Sequence, residues 1–237
     1  MRIVTIHLTR METGFMCVAG LEEGTTRHVR PTLHGARLRT ELLRRSGGPF
    51  RIGALVELGQ VEPNGEPPEV EDHDFDPRNA KFIRLAELSE LWEVLNAAAQ
   101  PSLHAIFGDD LNQIGRGYAV EIGRGIASLG CLRPTDRPIL TINRYGQLRM
   151  EIRDTDVGLD LAVTDLRFYD VGGGGLREEM VENVAERISQ GRGVIVSVGL
   201  TRPYARSAVP GDRRRHWLQV NNVHLQDDPE WQGTLAD

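Results

Sequence analysis

The chain has 237 residues, which suits one large domain or two small ones. Its hydrophobic fraction of 40% allows a sizeable core, and its formal net charge of -6 argues against a protein coated in DNA-binding positive charge. The charge is uneven, however. Residues 1–60 and 193–225 each carry a formal +4, whereas residues 61–125 carry -8. Basic patches can therefore exist on a chain that is acidic on average.

The two cysteines and the hydropathy pattern bear on location. Cys17 and Cys131 each lie in an apolar run, and their spacing predicts neither a metal motif nor a disulfide framework. We expect buried thiols in a reducing compartment. The start, MRIVTIHL, is too short and too alternating for a signal peptide, and no apolar run reaches membrane-spanning length. These features predict a cytoplasmic protein with no membrane partner and no cofactor.

Short strands and turns alternate through the first half of the chain. Residues 2–8, 15–19 and 27–30 predict a meander whose third strand is stopped by Pro31. Residues 38–45 have leucines on one helical face and predict a helix, and residues 52–58 predict a further strand. Later in this half, the sequence predicts a helix at residues 85–99, a short helix within 101–113 and a strand at 118–122.

An acidic segment, residues 69–76, allows two interpretations. Its carboxylates alternate along an extended segment and so share a face, which would suit a metal ion. No second cluster of similar ligands accompanies it. We therefore expect a solvated acidic loop.

The second half has a cleaner β pattern. Strands are predicted at residues 126–132, 139–143, 147–153 and 159–163, with Tyr145–Gly146 as a hairpin turn. Asp165 is placed to cap the turn that follows it. Four glycines, residues 172–175, precede a helix at 176–189. No P-loop lysine follows them, so we interpret them as a linker rather than a phosphate cradle. Residues 226–237 predict a loose acidic tail.

The most informative stretch is residues 193–225, which predicts strand, long loop and strand. Its loop is rich in arginine and interleaved with aromatic residues. Guanidinium groups beside aromatic faces suit a ligand with phosphates and bases. An ordinary solvated loop with core aromatics is the alternative. This stretch and the basic residues at other strand ends together supply the candidate ligand-binding residues. They are His28, Arg30, Arg133, Arg202, Tyr204, Arg206, Arg213, Arg214, Arg215 and Trp217.

These elements predict a mainly β chain with inserted helices, an α+β class. Each half shows short strands, an inserted helix and a returning hairpin, which is typical of a Greek-key barrel such as the OB-fold. We therefore expect two tandem OB-like barrels, with a helical insertion in the first. The expected boundaries are residues 1–125 and 126–237.

Short motifs extend this expectation to a family. Cys17–Val18–Ala19–Gly20 followed by His28–Val29–Arg30–Pro31 resembles the opening motif of the prokaryotic dual OB-containing domain family, with His28 where the family more often has Trp. Residues 162–165, 196–200 and 217–220 resemble its later strand ends and closing hairpin. The resemblance implies two OB barrels, nucleic-acid or nucleotide binding, and association with prokaryotic defence systems and their protein partners.

Four functions follow, and the first is a non-enzymatic module for single-stranded DNA or RNA. In it the arginines contact phosphates, Tyr204 and Trp217 stack on bases, and His28 either bonds the ligand or is structural. A sensor of a small nucleotide is the second, with Arg30, Arg133 and Arg202 lining a pocket. A protein scaffold is another. An enzyme is disfavoured because the acid–base candidates His28, Asp165, Asp212 and His216 are not paired with a nucleophile at recognisable spacing.

Overall fold

The computed structural model describes residues 1–115, 117–154, 157–170, 174–206 and 213–229. In chain order, the first nine strands are β1 (Arg2–Arg10), β2 (Phe15–Glu22), β3 (His28–Thr32), β4 (Leu38–Arg39), β5 (Ala54–Glu57), β6 (Val61–Pro63), β7 (Asp72–Phe75), β8 (Lys81–Leu85) and β9 (Ala99–Gln100). The others are β10 (Asn112–Ile114), β11 (Gly117–Glu121), β12 (Leu129–Leu132), β13 (Ile139–Ile142), β14 (Leu148–Asp154), β15 (Val157–Ala162), β16 (Val194–Leu200) and β17 (Arg215–Leu225). The α-helices are α1 (Leu88–Ala98), α2 (Leu103–Phe107) and α3 (Glu178–Ser189).

The strands form three sheets. The first runs β6-β7-β3-β2-β1-β5-β8, with β4 paired to β2. The second runs β10-β11-β17-β16-β12-β9, and the third is the meander β13-β14-β15. The prediction of a mainly β chain with inserted helices is confirmed.

Two hydrophobic cores follow the sheets. One is built on the first sheet and α1, and the other on the second and third sheets with α2 and α3. Membership crosses the midpoint of the chain: Cys131, Leu166 and Ile195 pack in the first core, whereas Phe107 packs in the second. The two cores therefore share strands at their junction.

The junction is polar as well as apolar. The backbone N–H of Leu8 donates to Asn222 Oδ1 at 2.8 Å, and the N–H of Arg10 donates to the Thr164 carbonyl at 2.7 Å. The alternating polar positions of β1 are buried because they face β17 rather than water. These two bonds satisfy buried backbone donors of β1 and help to fix how the two sheets meet.

Most of the predicted elements are present, including the strands of the meander, both longer helices and the hairpin turn at Gly146, whose φ of 72° suits glycine. Two expectations about β3 and β4 were wrong. Residues 38–45 form β4 and two short 3₁₀ turns, because Leu38 pairs with Met16 of β2 instead of continuing a helix. Strand β3 does not stop at Pro31. Pairing to β2 ends at Val29, so no ladder bond is lost where Pro31 lacks an N–H.

The acidic segment was also predicted wrongly as a solvated loop. Strand β7 is buried at all four positions and pairs in parallel with β3. Its carboxylates are paired with arginines or hydrogen-bond donors, which removes the cost of burying them. Gly172 and Gly173 of the glycine run, the loop residues 207–212 and the tail from 230 onward lie outside the described residues.

Asp165 caps the 3₁₀ turn Leu166–Phe168, as predicted, by accepting from the Arg167 N–H at 3.0 Å. It also forms a buried ion pair with the Arg167 guanidinium, at 2.7 Å. The Asp165 carboxylate also accepts a hydrogen bond from the Val223 N–H at 3.1 Å. The Arg167 guanidinium donates to the Val223 carbonyl at 2.7 Å. This group of bonds fastens the turn to β17.

We expect Asp165→Asn to lower the free energy of unfolding by about 3–5 kcal/mol, because it removes the negative charge from a buried ion pair with Arg167. Asp136→Asn removes an exposed pair with Arg153 and should cost at most about 1 kcal/mol. Urea denaturation followed by circular dichroism measures both. Equal losses in the two variants would contradict this assignment.

Candidate anion-binding cleft

A cleft of about 930 Å³ opens where the first sheet meets the β16–β17 hairpin. One wall comes from β2, β3 and the turns after β1 and β3, and the other from the end of β16 and the start of the following loop. Its cations are Arg10, Arg30, Arg37, Arg202 and Arg214. Its carboxylates are Glu12, Glu66, Glu69 and Asp72. The cleft therefore carries a formal excess of only one positive charge.

The floor of the cleft is a buried charge cluster. The Arg30 Nε donates to Asp72 Oδ1, and Arg30 Nη2 lies 3.8 Å from Glu69 Oε1. Arg202 reaches the same two carboxylates, at 2.7 Å from Glu69 and 2.6 Å from Asp72. Arg30 is only 3% exposed, whereas about half of the Arg202 side chain is exposed. The two positive charges are thus balanced by two negative charges.

Glu71 ties this cluster to the second core. Its carboxylate accepts hydrogen bonds from the N–H groups of Ser128 and Leu129, at 2.9 and 3.2 Å, and from the Ser128 hydroxyl at 2.7 Å. The Glu71 carbonyl accepts the N–H of Arg30 at 2.8 Å. Residues of both halves are therefore held around the same short acidic segment.

The remaining arginines of the cleft differ in their partners. Arg37 pairs with Glu12, and both side chains are at least half exposed. The Arg10 guanidinium lies over the Tyr169 ring, 4.5 Å from its centroid. Arg214 donates to the Pro203 carbonyl at 2.9 Å. Within the described ranges, neither Arg10 nor Arg214 has a carboxylate partner. Their positive charges are therefore not neutralised by any described carboxylate.

The aromatic residues of the hairpin have different surroundings. Tyr204 lines the cleft and is 44% exposed. Trp217 is 3% exposed, and its Nε1 donates to the Tyr204 carbonyl at 3.0 Å. The Arg206 guanidinium covers the Trp217 ring at 3.8 Å from the centroid. The exposed tyrosine is therefore held in place by a buried tryptophan.

The other candidate residues lie away from the cleft lining. Arg133 donates to Asn96 Oδ1 at 2.9 Å, and Arg215 pairs with Glu121 at 2.8 Å. Arg213 is exposed beside Arg214. His28 is half-buried, and burial lowers its pKa to about 4. It is therefore a neutral imidazole at physiological pH, with no charge to offer a phosphate.

The acid–base candidates are held in structural contacts where they are described. Asp165 belongs to the Arg167 ion pair, and His216 is buried and donates to the Thr201 carbonyl at 3.0 Å. Asp212 lies outside the described residues. The Ser197 hydroxyl lies 3.0 Å from His224 Nε2, but both residues are 0% exposed. A substrate cannot reach that pair in this conformation.

Two features of the site were missed in the sequence. Arg10 ends β1 and Arg37 lies in the turn before β4, and only the fold brings them opposite the hairpin. The acidic segment was recognised as clustered charge but not as the partner of Arg30 and Arg202. The excess of -8 in residues 61–125 beside the basic stretches was the signal that could have suggested it.

Comparisons with known proteins add little to this geometry. No protein-family model matches the chain, and no curated protein matches it either. Among solved structures, the p204 HINb domain matches over 93% of this chain and 95% of that one, with 13% sequence identity and a TM-score of 0.35. At this low TM-score the likeness carries no argument about fold or function. No described helix has the combined length and apolar character that a bilayer crossing requires.

We expect Arg30→Met to lower the free energy of unfolding by about 3–5 kcal/mol, because it removes one partner of a buried charge cluster. Arg202→Met removes the half-exposed partner and should cost about 1 kcal/mol or less. Urea denaturation of the two variants makes the comparison. A larger loss for Arg202→Met than for Arg30→Met would show that the cluster depends on the outer arginine.

Proposed function

We propose that the cleft binds single-stranded nucleic acid. The observation that carries this proposal is the exposed Tyr204 ring beside Arg214, a cation with no carboxylate partner in the described part of the chain. Stacking on an aromatic ring and contact with backbone phosphates are the two interactions that single strands offer regardless of sequence. Arg10 is a second phosphate contact, on the opposite wall.

The buried arginine cluster has a different role in this proposal. Arg30 and Arg202 are neutralised by Glu69 and Asp72, so they shape the cleft more than they charge it. Arg206 supports the Trp217 ring, and Arg213 extends the basic edge of the hairpin towards solvent. We propose in addition that the two cores are tandem OB-like barrels. Association with a prokaryotic defence system stays a prediction.

A small nucleotide is the second candidate ligand. The cleft volume of about 930 Å³ lies within the range of small-molecule sites, roughly 300–1,000 Å³. The formal excess of only one positive charge favours a ligand with few phosphates over a long polyanion. Tyr204 would then stack on the single base, with Arg10 and Arg214 on its phosphates.

Fluorescence anisotropy with mixed-sequence single-stranded DNA and RNA tests the first candidate. We expect a complex at low salt. The logarithm of the association constant should fall linearly with the logarithm of the salt concentration, with a slope of about 0.7 for each phosphate contact. Absence of any complex at low salt would rule out the single-strand proposal.

Two cleft variants should change binding in different ways. Tyr204→Ala should weaken binding by about 1–3 kcal/mol with the salt slope unchanged, because stacking is lost and no ion contact is. Arg214→Gln should reduce the salt slope by about 0.7, the loss of one phosphate contact.

Matched controls lie elsewhere on the surface. Tyr145 is a 70% exposed tyrosine in the β13–β14 turn, and Arg133 is an exposed arginine outside the cleft lining. Tyr145→Ala and Arg133→Gln should bind like the unmodified chain. Equal weakening in the control and cleft variants would place the binding surface outside the cleft.

Thermal-shift measurements with mononucleotides and dinucleotides separate the two candidates. Stabilisation by a mononucleotide at concentrations where oligonucleotides give none would favour the nucleotide site. Tyr204→Ala should remove that stabilisation, whereas Tyr145→Ala should keep it.

A further inference from the structure

Three metal-ligating side chains converge at the junction of the two cores. His7 comes from β1, His28 from β3 and Cys131 from β12. One ligand atom of each lies within 4.8 Å of those of the other two. His28 Nε2 lies 3.8 Å from Cys131 Sγ, and the two imidazole rings meet edge to face with centroids 5.4 Å apart. The three residues are far apart in sequence, so only the fold assembles them.

His7 carries an unsatisfied polar atom at this point. The residue is 1% exposed, and its Nδ1 contacts Asn221 Nδ2 at 3.2 Å. Its Nε2 is buried and has no hydrogen-bond partner in the described structure. Leaving such a group unpaired costs on the order of 1–3 kcal/mol. A ligand at Nε2 would remove that cost.

We propose that His7, His28 and Cys131 bind a zinc ion that joins the first and second sheets. Thiolate sulfur and imidazole nitrogen are both ligands that bind Zn²⁺, and three protein ligands leave one tetrahedral position open. With Zn–N and Zn–S distances of about 2.1 and 2.3 Å, tetrahedral geometry places neighbouring ligand atoms about 3.4–3.6 Å apart. The His28–Cys131 separation is already close to this value. Water takes the fourth position.

The neighbouring amides fit the role of outer-shell partners. An ion at His7 Nε2 leaves the proton of the neutral ring on Nδ1, which then donates to the side-chain oxygen of Asn221. This requires Asn221 to present its oxygen instead of its nitrogen. Gln219, bonded to Asn221 at 3.0 Å, reverses with it. On binding, the Cys131 thiol releases its proton to solvent and the sulfur keeps the electron pair that it donates to zinc.

The position of the site gives the ion a structural task. His7 and His28 belong to the first sheet, whereas Cys131 belongs to the second. Asn221 and Gln219 also line the cleft. The ion would therefore hold the two sheets together directly beneath the cleft, whatever the cleft binds.

Cobalt substitution of the full chain tests the site. The chain is stripped with a chelator under reducing conditions and titrated with Co²⁺. We expect one equivalent to bind, with thiolate-to-cobalt charge-transfer absorption and the visible bands of tetrahedral cobalt. Zn²⁺ should displace the cobalt and raise the melting temperature of the stripped chain.

Variants assign the ligands. Cys131→Ser should abolish the charge-transfer absorption and the stabilisation by Zn²⁺. Cys17→Ser is the matched control, because Cys17 lines the cleft but is not part of the cluster, and it should retain both. Asn221→Ala should weaken zinc binding about 10–100-fold, as expected for loss of an outer-shell partner.

The proposal is overturned if the unmodified chain binds no stoichiometric Co²⁺, which requires no variant to fold. It is also overturned if the charge-transfer absorption survives Cys131→Ser and disappears in Cys17→Ser. These readouts need no nucleic acid, so they are independent of the ligand of the cleft.

Discussion

The structure depends on the burial of one acidic segment between its two halves. Glu71 and Asp72 could not lie at the junction of two cores without partners, because an unpaired buried carboxylate costs several kcal/mol. Arg30 from the first half, Arg202 from the second and the N–H groups at Ser128 and Leu129 supply those partners. The requirement to satisfy these charges fixes how the sheets approach each other, and it leaves a cleft above them.

The same pairing decides which cations the cleft can offer. Arginines in contact with carboxylates have already lost most of their attraction for an external anion. Among the described residues that line the cleft, Arg10 and Arg214 keep an unneutralised charge, and the exposed Tyr204 ring lies with them. A ligand of the proposed kind would therefore be selected as much by stacking as by charge. This accounts for the coexistence of a basic hairpin with a chain of net charge -6.

Polar residues buried in β1 and β17 form the second component of the junction. Some are satisfied by side-chain amides, and the Asn222 amide oxygen also accepts the Leu8 N–H, but Thr5 Oγ1, His7 Nε2 and Thr9 Oγ1 are buried without a hydrogen-bond partner in the described structure. Of these three atoms, His7 Nε2 is the one that meets His28 and Cys131, which gives the metal proposal its physical basis. A zinc ion there and the acidic cluster on β7 would act on the same interface by different chemistry.

Local pattern in the sequence determined the meander of β1, β2 and β3, the helices α1 and α3, the β13–β14 hairpin and the arginine-rich β16–β17 hairpin, because alternation and helical spacing are local properties. Local pattern did not determine the fate of residues 69–76, since the same carboxylates are solvated or buried according to what packs against them. Nor could it place Arg10 opposite Arg214, or His7 beside Cys131. Those contacts join residues more than a hundred positions apart, and only the tertiary structure, through strand pairing across the two halves and the need to satisfy buried charge, decides them.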